Sequence, residues 1–209
     1  MKSVFFKPWV GNDFGKDGSV FSQKILVLGD SHYIDESDEV NMSKNNEEPC
    51  DFTTAVLQAY LNQAVKGRWK STFTKFMNSF VCNTNHSETS REKLWNSVAF
   101  YNYLQIPAGS DSRQTHQFSY HDDRDRNAFL EVVNKLEPDI IISWGNNVWD
   151  AIPANLGYGN GIVSESVKDC CLIYPFKGKE LKLIGITHPS TSYRSSYWAN
   201  IFDELNANT

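Results

Sequence analysis

The stretch Ile25-Leu26-Val27-Leu28-Gly29-Asp30-Ser31-His32-Tyr33 decides the fold of this chain. Four aliphatic residues in a row, without polar alternation, favour a strand that is covered on both faces, as in a parallel sheet. Gly29 allows a sharp turn where the strand ends, and a polar cluster follows it at once. Because ligands of open α/β sheets bind at the carboxyl ends of the strands, the stretch predicts where the functional site lies.

Similar apolar runs recur outward from this strand and alternate with helical periodicity. Strands are predicted at residues 98–104, 140–145, 171–174 and 181–186, and helices at residues 51–61, 69–80, 124–136, a short stretch after 146, and 194–205. The opening residues show no sustained period and predict an irregular arm. This alternation predicts an α/β fold, a three-layer α/β/α sandwich with a mainly parallel central sheet, in a single domain spanning residues 1–209.

The composition limits the classes of partner. The 209 residues carry a formal net charge of −5, so a nucleic acid would have to be held by a local patch rather than by overall charge. The four cysteines lack C-x-x-C spacing and are interpreted as reduced thiols. No apolar run approaches 18 residues, so we expect no membrane contact and a cytoplasmic protein, acting as a monomer.

An acidic, Asn-rich segment, residues 34–51, follows the first strand. It carries too few apolar residues to bury itself, which predicts a mobile loop beside the strand end. Two interpretations remain open, a solvated surface loop and a lid over the site.

Three polar groups follow or lie in predicted strands: residues 30–33, Asn102, and His188-Pro189-Ser190. The carboxyl ends of parallel strands share one crevice, so these groups should converge. Their pattern, Gly-x-x-x-Tyr after the first strand, Asn in a mid-chain strand and His-Pro-Ser before the last helix, resembles the uracil-DNA glycosylase superfamily. The phrase at residues 136–145, LEPDIIISWG, also looks like the third strand of that superfamily.

The resemblance implies roles for these residues in cleaving an N-glycosidic bond in DNA. The backbone after Gly29, with His32, would hold a flipped base, Tyr33 would form a pocket wall, and Asn102 would read the base edge with its donor and acceptor. His188 would stabilise negative charge on the departing base, an effect worth about 3 kcal/mol for one oriented donor.

The carboxylate of the site differs from the best-known motif of the superfamily. Where that motif has Gly-Gln-Asp-Pro-Tyr-His, Ser31 stands at the position of the activating Asp, and the carboxylate is one residue earlier, at Asp30. The same shift occurs in the Gly-Glu-Ala-Pro branch. Asp30 would orient water or stabilise the cationic sugar, with Ser31 or His32 assisting. The implied base is uracil, a damaged base or a modified base, including a modified cytosine of phage DNA.

Phosphate contacts are predicted where two helices begin. Ser190, Ser192 and Arg194 precede the last helix, and Gly145 and Asn146 precede a short one. Such contacts would offset the few kcal/mol that base flipping costs. Ser192 could equally be a helix cap. No His, Cys and Asp set has metal-ligand spacing, so we expect neither a metal nor a cofactor.

Two other classes compete with a glycosylase. Gly29-Asp30-Ser31 also resembles the first block of the SGNH, or GDSL-type, esterases, with Ser31 as nucleophile, Gly145-Asn146-Asn147 as a second block and His188 as base. That family needs an Asp three residues before its histidine, where this chain has Gly185. The third class is a catalytically silent, nucleic-acid-binding relative.

Overall fold

The computed structural model describes residues 1–34, 49–109, 118–165 and 170–207, with side chains described as far as residue 204. Most of the acidic segment predicted as a loop or lid lies outside these residues, so both interpretations of it remain predictions. The four cysteines are free thiols.

The described strands form one mixed sheet. They are β1 (Trp9–Val10), β2 (Ile25–Gly29), β3 (Ala99–Asn102), β4 (Ile140–Trp144), β5 (Ile162–Val163), β6 (Cys171–Phe176) and β7 (Lys179–Ile186). Their order across the sheet is β1-β3-β2-β4-β7-β6-β5. The four central strands, β3, β2, β4 and β7, are mutually parallel, and the outer strands pair antiparallel. The prediction of an α/β fold with a mainly parallel sheet centre is confirmed.

The described helices are α1 (Phe52–Leu61), α2 (Lys70–Phe80), α3 (Glu88–Asn96), α4 (Asp123–Leu136), α5 (Asn146–Ala151) and α6 (Ser195–Ala207). Helices α1 to α5 lie between successive strands along the chain, and α6 follows the last strand. None of the helices in the described part of the chain is both long and apolar enough to cross a bilayer.

The apolar run of β2 is buried on both faces because its side chains alternate between two hydrophobic clusters. Ile25 and Val27 pack in a cluster that includes side chains of α1, α2, α3 and α6. Leu26 and Leu28 pack in a second cluster, which includes side chains of α4 and α5. A strand buried in this way has no polar face, which explains the missing alternation in its sequence.

Three elements differ from the expectations. The polar segment before residue 98 contains α3, which begins after Ser87, whose hydroxyl accepts a hydrogen bond from the Ser90 N–H. Only two side chains of α3, Leu94 and Trp95, are buried, so its apolar period is too short to detect. The arm contains the short strand β1, and β5 was not expected either; each has two residues and depends on a partner strand.

Asp51 directly precedes Phe52, the first residue of α1. Asp51 occupies the N-cap position, but its side chain makes no capping hydrogen bond. Its carboxylate instead accepts a hydrogen bond from the Lys7 Nζ at 3.1 Å. The carboxylate therefore ties the amino-terminal arm to the start of α1.

The register of the central strands brings three carboxyl ends together. Leu28 of β2 pairs with Ser143 of β4, and Ser143 pairs with Gly185 of β7. The residues that follow these positions therefore share one edge of the sheet, and they include Asp30, Gly145 and His188.

Candidate functional site

The candidate site lies at the carboxyl edge of β2, β4 and β7. Asp30 follows β2 and His188 follows β7, with β4 between them in the sheet. Neighbouring strands are about 4.8 Å apart, so the two backbones are separated by roughly 10 Å. Gly145 follows β4 and lies between them without a side chain. The arrangement places a carboxyl group and an imidazole at the same edge of the sheet, on either side of the end of β4.

Asp30 is held by a tyrosine that sequence reasoning missed. The Tyr120 hydroxyl donates a hydrogen bond of 2.6 Å to Asp30 Oδ1. Burial raises the pKa of the Asp30 carboxyl above its ordinary value, and the hydrogen bond from Tyr120 opposes that rise. Tyr120 lies 90 residues away in an irregular segment, and nothing in the sequence pattern connects it with Asp30.

The partners of His188 fix its tautomer. The Ser190 backbone N–H donates to His188 Nδ1 at 3.2 Å, and the Ser190 hydroxyl lies 2.7 Å from the same atom. A backbone N–H can only donate, so Nδ1 is an acceptor and the ring proton is on Nε2. Burial lowers the pKa of His188 to about 4, so the ring is neutral at pH 7. His188 is therefore a neutral imidazole with an Nε2–H donor.

Trp144 and Gly145 position the His188 ring. The Trp144 indole meets it edge to face, with ring centroids 5.9 Å apart. A Cβ at Gly145 would lie 3.3 Å from the His188 Cβ, and the Gly145 φ of +90° favours glycine. The close approach of these backbones therefore requires a glycine at the end of β4.

Asn102 and His32 form a buried network that holds the turn after β2. Asn102 Nδ2 donates to the Ser31 carbonyl at 2.9 Å and lies 3.2 Å from His32 Nδ1. His32 Nε2 lies 2.9 Å from Thr53 Oγ1. The amide donates to Nδ1, so the ring proton is on Nε2 and points to Thr53.

The His32 ring is surrounded by apolar groups. It is 3% exposed and makes edge-to-face contacts with Phe6 and Phe52. Burial lowers its pKa to about 3. The ring is thus neutral and enclosed, and it contacts Phe52 and Thr53 at the start of α1.

Gly29 has a steric role as well as a place in the predicted motif. A Cβ at this position would lie 2.2 Å from Asn102 Oδ1 and 2.9 Å from Phe100 Cζ. A side chain here would collide with the amide that holds the turn. This explains a glycine at the end of β2 without invoking a left-handed backbone.

Ser31 and Tyr33 have different environments. The Ser31 hydroxyl is buried and has no hydrogen-bond partner among the described residues. The Tyr33 side chain is 36% exposed at the start of the acidic segment. About a third of the Tyr33 side chain is therefore accessible to solvent.

The residues predicted to bind phosphate are brought to the same edge but are not equivalent. Asn146, Ser192 and Arg194 are exposed. Ser190 is exposed but is engaged with His188. The Arg194 carbonyl accepts the first hydrogen bond of α6 from the Trp198 N–H, so Arg194 rather than Ser192 precedes that helix. Capping does not explain Ser192.

A cavity of about 250 Å³ adjoins Gly145 and Asn146. Its remaining lining residues are Trp149, Asp150, Cys170, Gly185 and Ile186. A Cβ at Gly185 would lie 2.4 Å from the Trp149 ring, so the glycine is explained by packing. This space was not predicted, because it depends on how α5 lies against β7.

No group of three or more His, Cys, Asp or Glu residues within residues 1–34, 49–109, 118–165 and 170–207 could hold a metal ion. A scan against models of protein families finds no match to the chain, and a search of curated proteins finds none either. The site must therefore be interpreted from its own chemistry.

Proposed function

We propose that the protein is a hydrolase of N-glycosidic bonds and, more specifically, a monofunctional DNA glycosylase that resembles uracil-DNA glycosylases. The observation that carries the proposal is the fixed tautomer of His188. A neutral imidazole with its proton on Nε2, at the edge where Asp30 also lies, suits a reaction that leaves negative charge on a base.

In the proposed reaction, the bond between the sugar C1′ and the base nitrogen breaks, and the base leaves with the electron pair. The His188 Nε2–H donates a hydrogen bond to the base oxygen on which that charge accumulates. The Asp30 carboxylate orients a water molecule and stabilises the cationic sugar while the water oxygen bonds to C1′, and the proton that the water loses neutralises the departed base anion. The products are an abasic site and the free base, and no metal or cofactor takes part.

Several residues have positioning roles in this proposal. Asn102 and His32 hold the turn that carries Asp30 through their contacts with each other and with the Ser31 carbonyl. Tyr33 and the backbone after Gly29 would contact the flipped base. Asn146, Ser192 and Arg194 would contact phosphates with their exposed side chains, and Ser190 would orient His188.

The proposal includes a three-layer α/β/α arrangement. It is supported by the two hydrophobic clusters, between which the side chains of the central strands are divided. It also includes a single domain acting as a monomer on DNA in the cytoplasm. The excised base is uracil, a damaged base or a modified base.

The tautomer of His188, with its proton on Nε2, argues against an esterase in which Ser31 is the nucleophile. A serine nucleophile needs a histidine whose Nδ1–H is oriented by a carboxylate and whose Nε2 accepts the serine proton. Here Nδ1 accepts from Ser190, and the Ser31 hydroxyl has no partner among the described residues.

The test is release of a base from DNA. The protein is incubated with duplex and single-stranded DNAs of differing base content, including phage genomes with modified bases, and abasic sites are detected by alkali cleavage with mass analysis of the released base. We expect His188→Ala to lower kcat about 10²- to 10³-fold. We expect Asp30→Asn to have a comparable effect.

His86→Ala is the matched control, because His86 makes one histidine–amide contact, with Asn78, away from the site. Labelling by a serine-reactive phosphonate, with loss of turnover in Ser31→Ala alone, would replace the proposal by the esterase. DNA binding without release of any tested base would favour a silent relative.

A further inference from the structure

The segment between α1 and α2 is basic and exposes a tryptophan. It reads Lys66-Gly67-Arg68-Trp69-Lys70, and the Trp69 side chain is 40% exposed. The chain as a whole has a net charge of −5, so this concentration of positive charge stands out against it. We call Lys66, Arg68, Trp69 and Lys70 the basic patch.

The positive charges of the basic patch are not neutralised by acidic side chains. Several other cations form ion pairs, but none of the three cations of the patch does so with any residue that the structure describes. Partial burial, then Arg91 and Lys66, lower the pKa of Lys70, so these cations lie close enough to repel one another. Such a cluster attracts a polyanion.

Two of the cations also have local roles. Lys70 Nζ donates to the carbonyls of Tyr60 and Asn62, where α1 ends, and Lys66 Nζ donates to the Gln63 carbonyl. Arg68 is exposed, and the structure gives its guanidinium no hydrogen bond or ion pair within the described residues. Arg68 and Lys66 are therefore the cations most accessible to a ligand.

The Trp69 ring is held in place by its neighbours. A Cβ at Gly67 would lie 2.5 Å from the indole Nε1, so the ring covers the glycine backbone. The ring also meets Phe73 edge to face at 5.8 Å, and Lys70 Nζ lies 5.8 Å from its centroid. An exposed aromatic ring held in one orientation beside cations is a typical stacking platform for an unpaired base.

Aromatic contacts connect the basic patch with the candidate site. Trp69 contacts Phe73, Phe73 contacts Trp144 at 5.6 Å, and Trp144 contacts His188 at 5.9 Å. Three contacts of this length cover a distance that about five stacked nucleotides span at roughly 3.4 Å each. Because Phe73 and Trp144 are buried, this path only limits the straight-line separation of Trp69 and His188, and a strand on the surface would need on the order of five nucleotides to join them.

We propose that the basic patch is a docking surface for unpaired DNA, in which a base stacks on Trp69 while Lys66 and Arg68 contact phosphates. Its assignment to DNA rests on the proposed function, and it adds that the substrate is single-stranded beside the target base. A binding measurement tests the docking surface without testing the glycosylase reaction.

The test measures fluorescence anisotropy of a labelled single-stranded 12-mer with the full chain, at several salt concentrations. We expect Trp69→Ala to weaken binding on the order of tenfold or more, and Trp69→Phe to restore most of it. We expect Lys66→Ala with Arg68→Ala to reduce the slope of log K against log salt by about 1.4. Duplex of the same sequence should bind more weakly than the single strand.

The matched controls are Tyr158→Ala and Lys135→Ala. Tyr158 is 46% exposed and contacts Phe176 and Asn134, and Lys135 lies in α4, so both are remote from α2. We expect both to bind like the unaltered protein. If Trp69→Ala, folded by circular dichroism, binds equally well, or if duplex binds more tightly, the proposal is wrong. Reduced binding by the variants of the basic patch, with no base release from any DNA, would support the docking surface and contradict the glycosylase.

Discussion

Burial raises the pKa of the Asp30 carboxyl, and the hydrogen bond from the Tyr120 hydroxyl partly offsets that rise. Tyr120→Phe removes the hydrogen bond that opposes the effect of burial, so the pKa of Asp30 should rise further. Because the proposed reaction needs the carboxylate, the acidic limb of kcat/KM should move to higher pH, with the plateau at high pH changed only a few-fold. The measurements are the pH–rate profile and a carbon-13 NMR titration of the Asp30 carboxyl.

Tyr174→Phe is the control for this prediction, since it removes another largely buried hydroxyl, bonded to the Pro153 carbonyl in a different part of the sheet. Tyr174→Phe should leave unchanged both the acidic limb of kcat/KM and the NMR titration of the Asp30 carboxyl. If the Asp30 titration is the same in Tyr120→Phe and in the unaltered protein, the hydrogen bond does not govern this carboxyl.

The buried Asp30 carboxylate should also reduce stability. Its pKa is higher in the folded than in the unfolded chain, so stability declines as pH rises from the unfolded value to the folded one and stays reduced above it. Asp30→Asn should therefore raise Tm at pH 7, by about 2–4 °C per kcal/mol gained, while it lowers the rate of base release. Differential scanning calorimetry at pH 7 checks this, and a lower Tm would contradict it.

Strands β2 and β3 are coupled through Gly29 and Asn102. Gly29→Ala places a methyl group against the Asn102 amide and the Phe100 ring, which should lower the free energy of unfolding by about 1–3 kcal/mol. In Gly29→Ala with Asn102→Ala, part of that cost should disappear because the amide is absent. Urea denaturation of the two single variants and the double variant measures the coupling.

Gly18→Ala is a suitable comparison, because its added methyl group would meet only the Asp13 side chain, at 3.2 Å, which can move. It should cost much less than Gly29→Ala. Equal costs for the two variants, or strictly additive effects in the double variant, would show that the collision with Asn102 is not the cause.

The central strands could be predicted because their burial is recorded in short continuous apolar runs, such as residues 25–28 and 140–142. Elements with weaker patterns could not. α3 buries only Leu94 and Trp95, and β1 and β5 exist because partner strands supply their hydrogen bonds. Their formation depends on tertiary contacts that a local pattern does not contain.

The positions of Asp30 and His188 could be predicted because each lies within two residues of the end of a strand that the sequence reveals. Their chemical states could not, since the tautomer of His188 depends on the Ser190 backbone and Asp30 depends on Tyr120. Asn102 was expected to face a base, but its amide nitrogen contacts Ser31 and His32. The partners of Asp30 and Asn102 lie 70 to 90 residues from them and are determined by packing rather than by motif spacing.

The molecule as a whole should lose stability in mild acid. Burial lowers the pKa of His32 to about 3 and that of His188 to about 4, so between these values and about 6.5 the unfolded chain binds more protons than the folded one. The stabilisation is complete above pH 6.5 and declines below it, by up to about 3 kcal/mol per pH unit, with Asp30 opposing part of the change. Urea midpoints between pH 7 and pH 4.5 measure this slope.

His32→Gln isolates one of these two contributions. Glutamine does not titrate, so the slope of the free energy of unfolding against pH should fall by about 1.4 kcal/mol per pH unit even if the variant is less stable throughout. The same slope in both proteins would mean that His32 is not buried in its neutral form.

The place of β2 in the sheet has a consequence for biosynthesis. β2 is the first of the central strands to leave the ribosome, yet its neighbours β3 and β4 begin at Ala99 and Ile140. At roughly 5–20 residues per second, the ribosome needs about 4 to 15 s to proceed from Gly29 to Asn102, where the first neighbour, β3, ends. Through that interval the nascent apolar run has no strand to pair with, and it is the segment that a chaperone would first need to shield.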